Sequence, residues 1–218
     1  MNKLLANLKY YSTLAIKKPR LISSALYKKH LGLILSFDIR KTQTLNHNDK
    51  YSVAVSSDIQ DIYDFYKRMN RNSISVSIIK DWLSRDYECF LIKDDCKNTL
   101  GAMWAFKNEF LLKNTSGRTL SSNKEIKLDK DTVYGAYVII DPTTRGKGLN
   151  HQLLGYVINY YDKKYKKLLV TTGASNAAYI RSSMKNNAQL IGIVEVLNIL
   201  GFHKRKIFFI DSKEKVWH

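Results

Sequence analysis

The stretch Val138-Ile139-Ile140-Asp141-Pro142-Thr143-Thr144-Arg145-Gly146-Lys147-Gly148-Leu149-Asn150 decides how the rest of the chain is read. It begins inside a strand: Thr132 to Ile140 (TVYGAYVII) is rich in β-branched and aromatic residues, and Asp141-Pro142 ends it. After it, His151 to Tyr161 carries Leu153, Leu154, Val157 and Ile158 on one helical face. Between strand and helix, Gly146 and Gly148 let backbone N–H groups point outward, and the positive end of a helix favours an anion placed there. Arg145 and Lys147 add charge without selecting a sugar or a base, so the local chemistry specifies a phosphate-bearing ligand. A glycine pair in a loop is also an ordinary turn. What favours the phosphate reading is its setting, with a further strand, Leu168 to Thr172, and a short helix from Asn176 to Met184 downstream.

Upstream, Ser52-Val53-Ala54-Val55 alternates like a strand, and Ser56-Ser57-Asp58 supplies capping oxygens for a helix through Ile59, Ile62, Tyr63, Phe65 and Tyr66. Ser75 to Ser84 fits a second helix. Phe90 to Ile92 and Leu100 to Phe106 read as two strands of a hairpin. Residues 113 to 131 are mostly polar and read as an exposed excursion. Two closing strands follow, around Leu190 to Leu197 and Lys206 to Ile210.

The quoted stretch resembles motif A of the GNAT superfamily of acyl-CoA-dependent N-acyltransferases, Arg/Gln-x-x-Gly-x-Gly/Ala. Arg145 stands at its first position, Gly148 at its central glycine, and Asn150 where Gly or Ala is usual; Asn150 could instead cap the helix. Asn176 to Ala188 is similar to the family's motif B, Asn-x-x-Ala/Ser-x-x-x-Tyr-x-Lys-x-Gly-Phe. Asn176 and Lys185 match, while Tyr179 replaces the small residue, Ser183 the tyrosine and Asn187-Ala188 the Gly-Phe pair. The resemblance implies an α+β GNAT fold over residues 51–218, with a mixed, mostly antiparallel six- or seven-stranded sheet flanked by helices.

It also implies acetyl-CoA or another acyl-CoA as co-substrate, no metal, and a primary amine as acceptor. Val138, Ile139 and Ile140 would flank the acyl-pantetheine arm, with the backbone of Val138 and Ile140 in contact with it. Arg145, Gly146, Lys147, Gly148, Leu149 and Asn150 would hold the pyrophosphate, and Asn176 would contribute to cofactor binding. Where the family has a tyrosine as acid to the departing thiolate, Ser183 is a far weaker acid, so either it hydrogen-bonds the sulfur or Tyr179 substitutes. Tyr179 also reads as plain packing. Tyr137, beside the position that polarises the carbonyl, would line the acceptor pocket or carry a water. Alternation puts Glu195 on the side of Ile191 and Ile193, where it reads as a surface or partner contact in preference to a base. For His151, phosphate contact or exposure outweighs base catalysis.

The 218 residues hold 36 Lys+Arg against 19 Asp+Glu, a formal charge of +17, which speaks of anionic partners and not of fold. At 44% apolar and 25% charged, the composition excludes a disordered or collagen-like chain. Cys89 and Cys96 cannot build a disulfide framework, and His30, His47, His203 and His218 lack metal spacing, so a reducing, cytoplasmic setting is expected. Residues 1–50 read as a basic amphipathic helical extension. Leu4, Leu5, Leu8, Tyr11 and Leu14 give a helix over 3 to 16, and the apolar stretch Leu21 to Phe37 is too interrupted by Lys28, Lys29 and His30 to span a bilayer. Residues 1–40 suit contact with an anionic membrane at its inner face, or packing on the domain or on a second copy in a homodimer.

The acceptor suggested by such a surface is an amino sugar of a bacterial envelope polysaccharide or of its precursor. Nucleic-acid binding would rest on Lys163, Lys164, Lys166 and Lys167, which a helix C-terminus explains more simply. A third reading keeps the fold as a non-catalytic binder of CoA esters.

Overall fold

The computed structural model describes residues 27–41, 50–107, 109–111, 125–199 and 202–210; the helix expected over residues 3 to 16 lies outside them. The strands are β1 (Tyr27–Asp38), β2 (Ser52–Ser56), β3 (Glu88–Lys93), β4 (Thr99–Lys107), β5 (Glu109–Leu111), β6 (Glu125–Lys127), β7 (Thr132–Ile140), β8 (Lys167–Gly173), β9 (Gln189–Ile199) and β10 (Phe202–Phe209). The helices are α1 (Ile59–Arg68), α2 (Val76–Ser84), α3 (Leu149–Tyr161) and α4 (Ala177–Lys185). One mixed sheet of eight strands runs β10-β9-β1-β8-β7-β4-β3-β2, and β5 pairs with β6 in a separate ribbon. Only β7 and β8 are parallel neighbours within that sheet. The ribbon takes Glu125–Lys127 out of the stretch expected as an excursion; residues 112–124 lie outside the described residues.

The expected sheet gains its eighth strand from the segment read as a helical extension. Tyr27–Asp38 inserts between β8 and β9, pairing Asp38 with Lys167 on one side and Tyr27 with Ile199 on the other. A boundary at residue 50 therefore does not hold for these residues, which lie inside the sheet. The reason is burial on both faces: Ile34 packs on one side and Leu35 and Phe37 on the other, all fully buried. Such a strand shows a nearly unbroken apolar run, which periodicity alone cannot tell from a buried helix.

Two helical layers cover the sheet. On one face α1 and α2 bury Ile62, Phe65, Tyr66, Ile79 and Trp82 around Trp104 of β4. Trp82 meets Trp104 edge-on at 4.8 Å and 74°, a geometry that adds ~0.5–1.5 kcal/mol beyond burial. On the other face α3 buries Leu149, Leu153, Leu154, Val157, Ile158 and Tyr161 against β3 and β4. The Asp58 carboxylate accepts from the Gln60 and Asp61 amides at 2.9 and 3.1 Å, a cap contributing about 1 kcal/mol that sets where α1 begins. No described helix is long and apolar enough to cross a membrane.

Candidate active site

β7 and β8 pair only from Thr132↔Lys167 to Gly135↔Val170. Beyond that point β8 stays with β1, through Gly173↔Gly32, and β7 stays with β4, through Ile140↔Gly101, so the two parallel strands part. Ala136 to Ile140 are all half-buried along the opening. The Asp141 amide donates to Leu100 O at 2.8 Å, so two-residue alternation aims the Ile139 amide at β4 as well. Val138 and Ile140 then direct their amides to the opposite side, into the wedge.

A bulge interrupts this alternation. Ala102 pairs with Ile139 but Trp104 pairs with Ala136, leaving Tyr137 and Val138 opposite Met103 alone. Tyr137 takes φ +54°, a left-handed conformation that side chains other than glycine seldom adopt. Its ring packs on Trp82 at 4.9 Å and on Phe106 at 6.0 Å, and burial pushes its phenol up to about 12.

At the open end of β7 the chain turns through Pro142–Thr144 into the glycine loop. The Asp141 carboxylate accepts from Thr143 Oγ1 at 2.7 Å and from its amide at 2.9 Å, which holds it below the usual carboxylate range. Gly146 and Gly148 adopt φ +84° and +76°, and Gly148 is the N-cap of α3. A Cβ at either glycine would meet nothing within 4 Å, so the glycines are required by backbone conformation and leave open space above the turn. Among the described residues no protein oxygen accepts from the amides of Gly146, Lys147, Gly148, Leu149 or Asn150. Arg145 and Lys147 are exposed beside them. Unengaged amides at the start of a thirteen-residue helix, next to a strand edge opened by a wedge, fit a diphosphate carrying an extended arm.

The family pattern "Acetyltransferase (GNAT) family" matches residues 56–182, more than half of the chain. The protein belongs to the GNAT acetyltransferase family. Solved GNAT proteins share the fold. A GCN5-related N-acetyltransferase from Sphaerobacter thermophilus superposes with TM-score 0.56 at 12% identity, over 87% of this chain and 55% of that one. One from Kribbella flavida gives 0.52 at 8% identity, over 92% and 66%. A tandem GNAT protein from the clavulanic acid biosynthesis pathway gives 0.54 at 10% identity, over 86% and 60%. The chain thus spans about 55–65% of the length of the first structures it matches. No curated protein sequence matches it.

The GNAT candidates from α3 and α4 divide sharply by exposure. Leu149 is buried in the core, so only its amide faces the loop. Asn150 does not cap α3, since Gly148 holds that position; its Nδ2 donates to Ser182 Oγ at 3.5 Å and ties α3 to α4. The Asn176 side chain caps α4, accepting from the Tyr179 amide at 3.3 Å. Ser183 is fully buried, and its hydroxyl has no hydrogen-bond partner among the described residues although it lies in electrostatic reach of the Tyr179 phenol. Tyr179, one turn earlier on the same helix face, is half-buried, and burial followed by the nearby Tyr134 phenol drives its pKa above the ordinary tyrosine value.

Glu195 forms an ion pair with Lys29 of β1. It shares a face with Ile193 as alternation implies but not with Ile191, because the β1–β9 register shifts between Ile34 and Leu35 and skips Ile191. Ile191 and Val194 therefore pack together on the α1–α2 side. His151, in the first turn of α3, has its pKa lowered by burial and then by Lys185. Among the described residues no group of three His, Cys, Asp or Glu could hold a metal ion.

Sequence reasoning missed the hydroxyls that brace the wedge. Tyr134 of β7 and Thr171 of β8 join their side chains at 2.5 Å. The Tyr66 phenol of α1 donates to the Tyr137 carbonyl at 2.8 Å. Neither pair carries a local signal, since each links residues at least 37 positions apart.

Proposed function

We propose that the protein transfers an acetyl or related acyl group from acyl-CoA to a primary amine. The observation that carries this reading is the set of unengaged amides from Gly146 to Asn150, at the mouth of the wedge where β7 presents Val138 and Ile140. When bound, acyl-CoA supplies an activated thioester carbon. The loop amides, with Arg145 and Lys147, would bind its phosphates, and the α3 dipole favours the same charge. The Val138 amide would donate to the thioester oxygen, where negative charge grows as the amine attacks. The amine nitrogen bonds to the acyl carbon as the C–S bond breaks; the thiolate takes a proton and the amine loses one.

Tyr179 suits the acid role better than Ser183. A phenol is a far stronger acid than a serine hydroxyl, and Tyr179 as a residue is half-buried where Ser183 is fully buried, with burial raising the phenol's pKa. Tyr137, packed against Trp82 and Phe106, would form an aromatic wall for the acceptor. An amino sugar suits such a wall, since apolar ring faces stack on aromatic ones.

The experiment is turnover with acetyl-CoA and a panel of primary amines that includes glucosamine and its nucleotide-linked form. Free thiol released in step with an acetylated amine, identified by mass spectrometry, supports the reading. Binding of acetyl-CoA with no amine-dependent thiol release overturns it in favour of a non-catalytic binder. Membrane contact through the basic amino-terminal segment is a separate proposal. Because Tyr27–Asp38 lies in the sheet, its test is removal of residues 1–26 alone: lost sedimentation with anionic liposomes supports it, and unchanged sedimentation refutes it.

A further inference from the structure

We infer that Tyr66 is a positioning residue for acyl transfer, setting the direction of the Val138 amide by holding the carbonyl of the preceding residue. The inference rests on the acyl-transfer reading above. It begins from the bulge, where regular pairing is lost: Tyr137 and Val138 both stand opposite Met103, so β4 cannot serve the Tyr137 carbonyl as it would in an uninterrupted ladder. A carbonyl partly withdrawn from water and left without a donor is costly, and here the donor is the Tyr66 phenol at 2.8 Å.

Tyr66 is itself only 1% exposed, anchored on α1 between the neighbours that bury Ile62 and Phe65, and its ring meets Phe65 edge-on at 5.7 Å. Burial raises its pKa well above the ordinary tyrosine value, so it stays a donor over the whole working range of pH. The consequence lies on the other end of the same peptide. The Tyr137 C=O and the Val138 N–H belong to one planar unit, which is trans because the described chain has no cis bonds, so they point in opposite directions. Fixing the oxygen towards α1 fixes the N–H on the far side, where alternation from the Asp141–Leu100 bond places the wedge.

The φ of +54° at Tyr137 makes this restraint necessary. A non-glycine residue in that region relaxes towards ordinary extended values unless its surroundings hold it. Loosening the peptide would swing the donor away from the oxygen that it must meet, and a misplacement of about 1 Å in such a group costs about 100-fold in rate. Tyr66 touches no reacting atom in this account; it acts through the backbone.

The test reads the carbonyl directly and needs no acceptor. Acetyl-CoA labelled with carbon-13 at the thioester carbonyl is bound to the wild type and to Tyr66→Phe, the infrared stretch of the bound carbonyl is recorded, and the affinity is measured by calorimetry. The expected result is a stretch at higher frequency in Tyr66→Phe than in the wild type, with acetyl-CoA affinity changed less than about threefold because the glycine loop is untouched. A fluorotyrosine at position 66, a stronger donor to the same carbonyl, moves the stretch below the wild-type value. An identical stretch in wild type and Tyr66→Phe overturns the inference while leaving the acyl-transfer reading intact, whereas a wild type that binds no acetyl-CoA overturns that reading itself. Should Tyr66→Phe fail to fold, fluorotyrosine as the stronger donor decides alone: a stretch below the wild-type value supports the role, and an unchanged one contradicts it.

Discussion

The Tyr134 hydroxyl lies 2.5 Å from Thr171 Oγ1, joining a β7 residue inside the paired stretch to the first β8 residue beyond the last backbone pair that the two strands share, Gly135 with Val170. The bond marks where the ladder gives way to the wedge, and it replaces backbone pairing with a side-chain tie. Tyr134 is also near enough to Tyr179 to raise its pKa, so the same hydroxyl borders the proposed acid.

Removing either partner tests that tie. Tyr134→Phe and Thr171→Val should each destabilise the fold by about 1 kcal/mol, and the double variant should lose less than the two together, with a coupling of about 0.5–1.5 kcal/mol in denaturant unfolding. Strict additivity would mean that the hydroxyls do not brace the opening.

The amino-terminal strand is open to an equally direct check. Leu35 is fully buried within β1, which is paired on both edges, so Leu35→Ala should cost ~2–5 kcal/mol, and deletion of residues 1–40 should abolish cooperative unfolding. If deletion leaves a sharp thermal transition, β1 is dispensable and the sheet closes without it.

How far the sequence discloses the site depends on whether the deciding interactions are local. The glycine loop and the start of α3 are legible because left-handed φ and an uncapped helix end belong to neighbouring residues. β1 is not, because burial on both faces erases the alternation that identifies a strand, and the lysines that seemed to interrupt a helix stand at the strand's start, with Lys29 paired to Glu195. Nothing in TVYGAYVII announces the bulge at Tyr137, which arises from the count of residues on β4 opposite it. The skipped pairing at Ile191 puts that residue on the face opposite Glu195, which keeps its expected alternation with Ile193, because one extra residue turns side chains on either side of it to opposite faces. Tyr66 is one of 14 tyrosines, and only the fold singles it out.

His151 reports on the loop by titration. Its folded pKa lies below the ordinary 6.5 because burial, and then Lys185, disfavour the charged ring. A lowered histidine contributes stability that is complete above the unfolded value and is lost as pH falls through the folded one. Phosphate groups beside the first turn of α3 would reverse the shift, so the proton spectrum should show His151 titrating below 6.5 alone and higher once CoA is added. An unmoved titration on saturation with CoA would place the phosphates elsewhere.

The loop itself is tested at Gly148. Its φ of +76° and the open space around it mean that a side chain there strains the backbone by ~1–2 kcal/mol yet meets no protein atom, so Gly148→Glu should remain folded while placing a carboxylate where the proposed diphosphate would sit. Isothermal calorimetry with CoA and acetyl-CoA on the wild type and on folded Gly148→Glu is the most direct measurement. The account predicts saturable binding to the wild type and a loss of more than about 100-fold in the variant; no binding to the wild type, or equal binding to both, would contradict it.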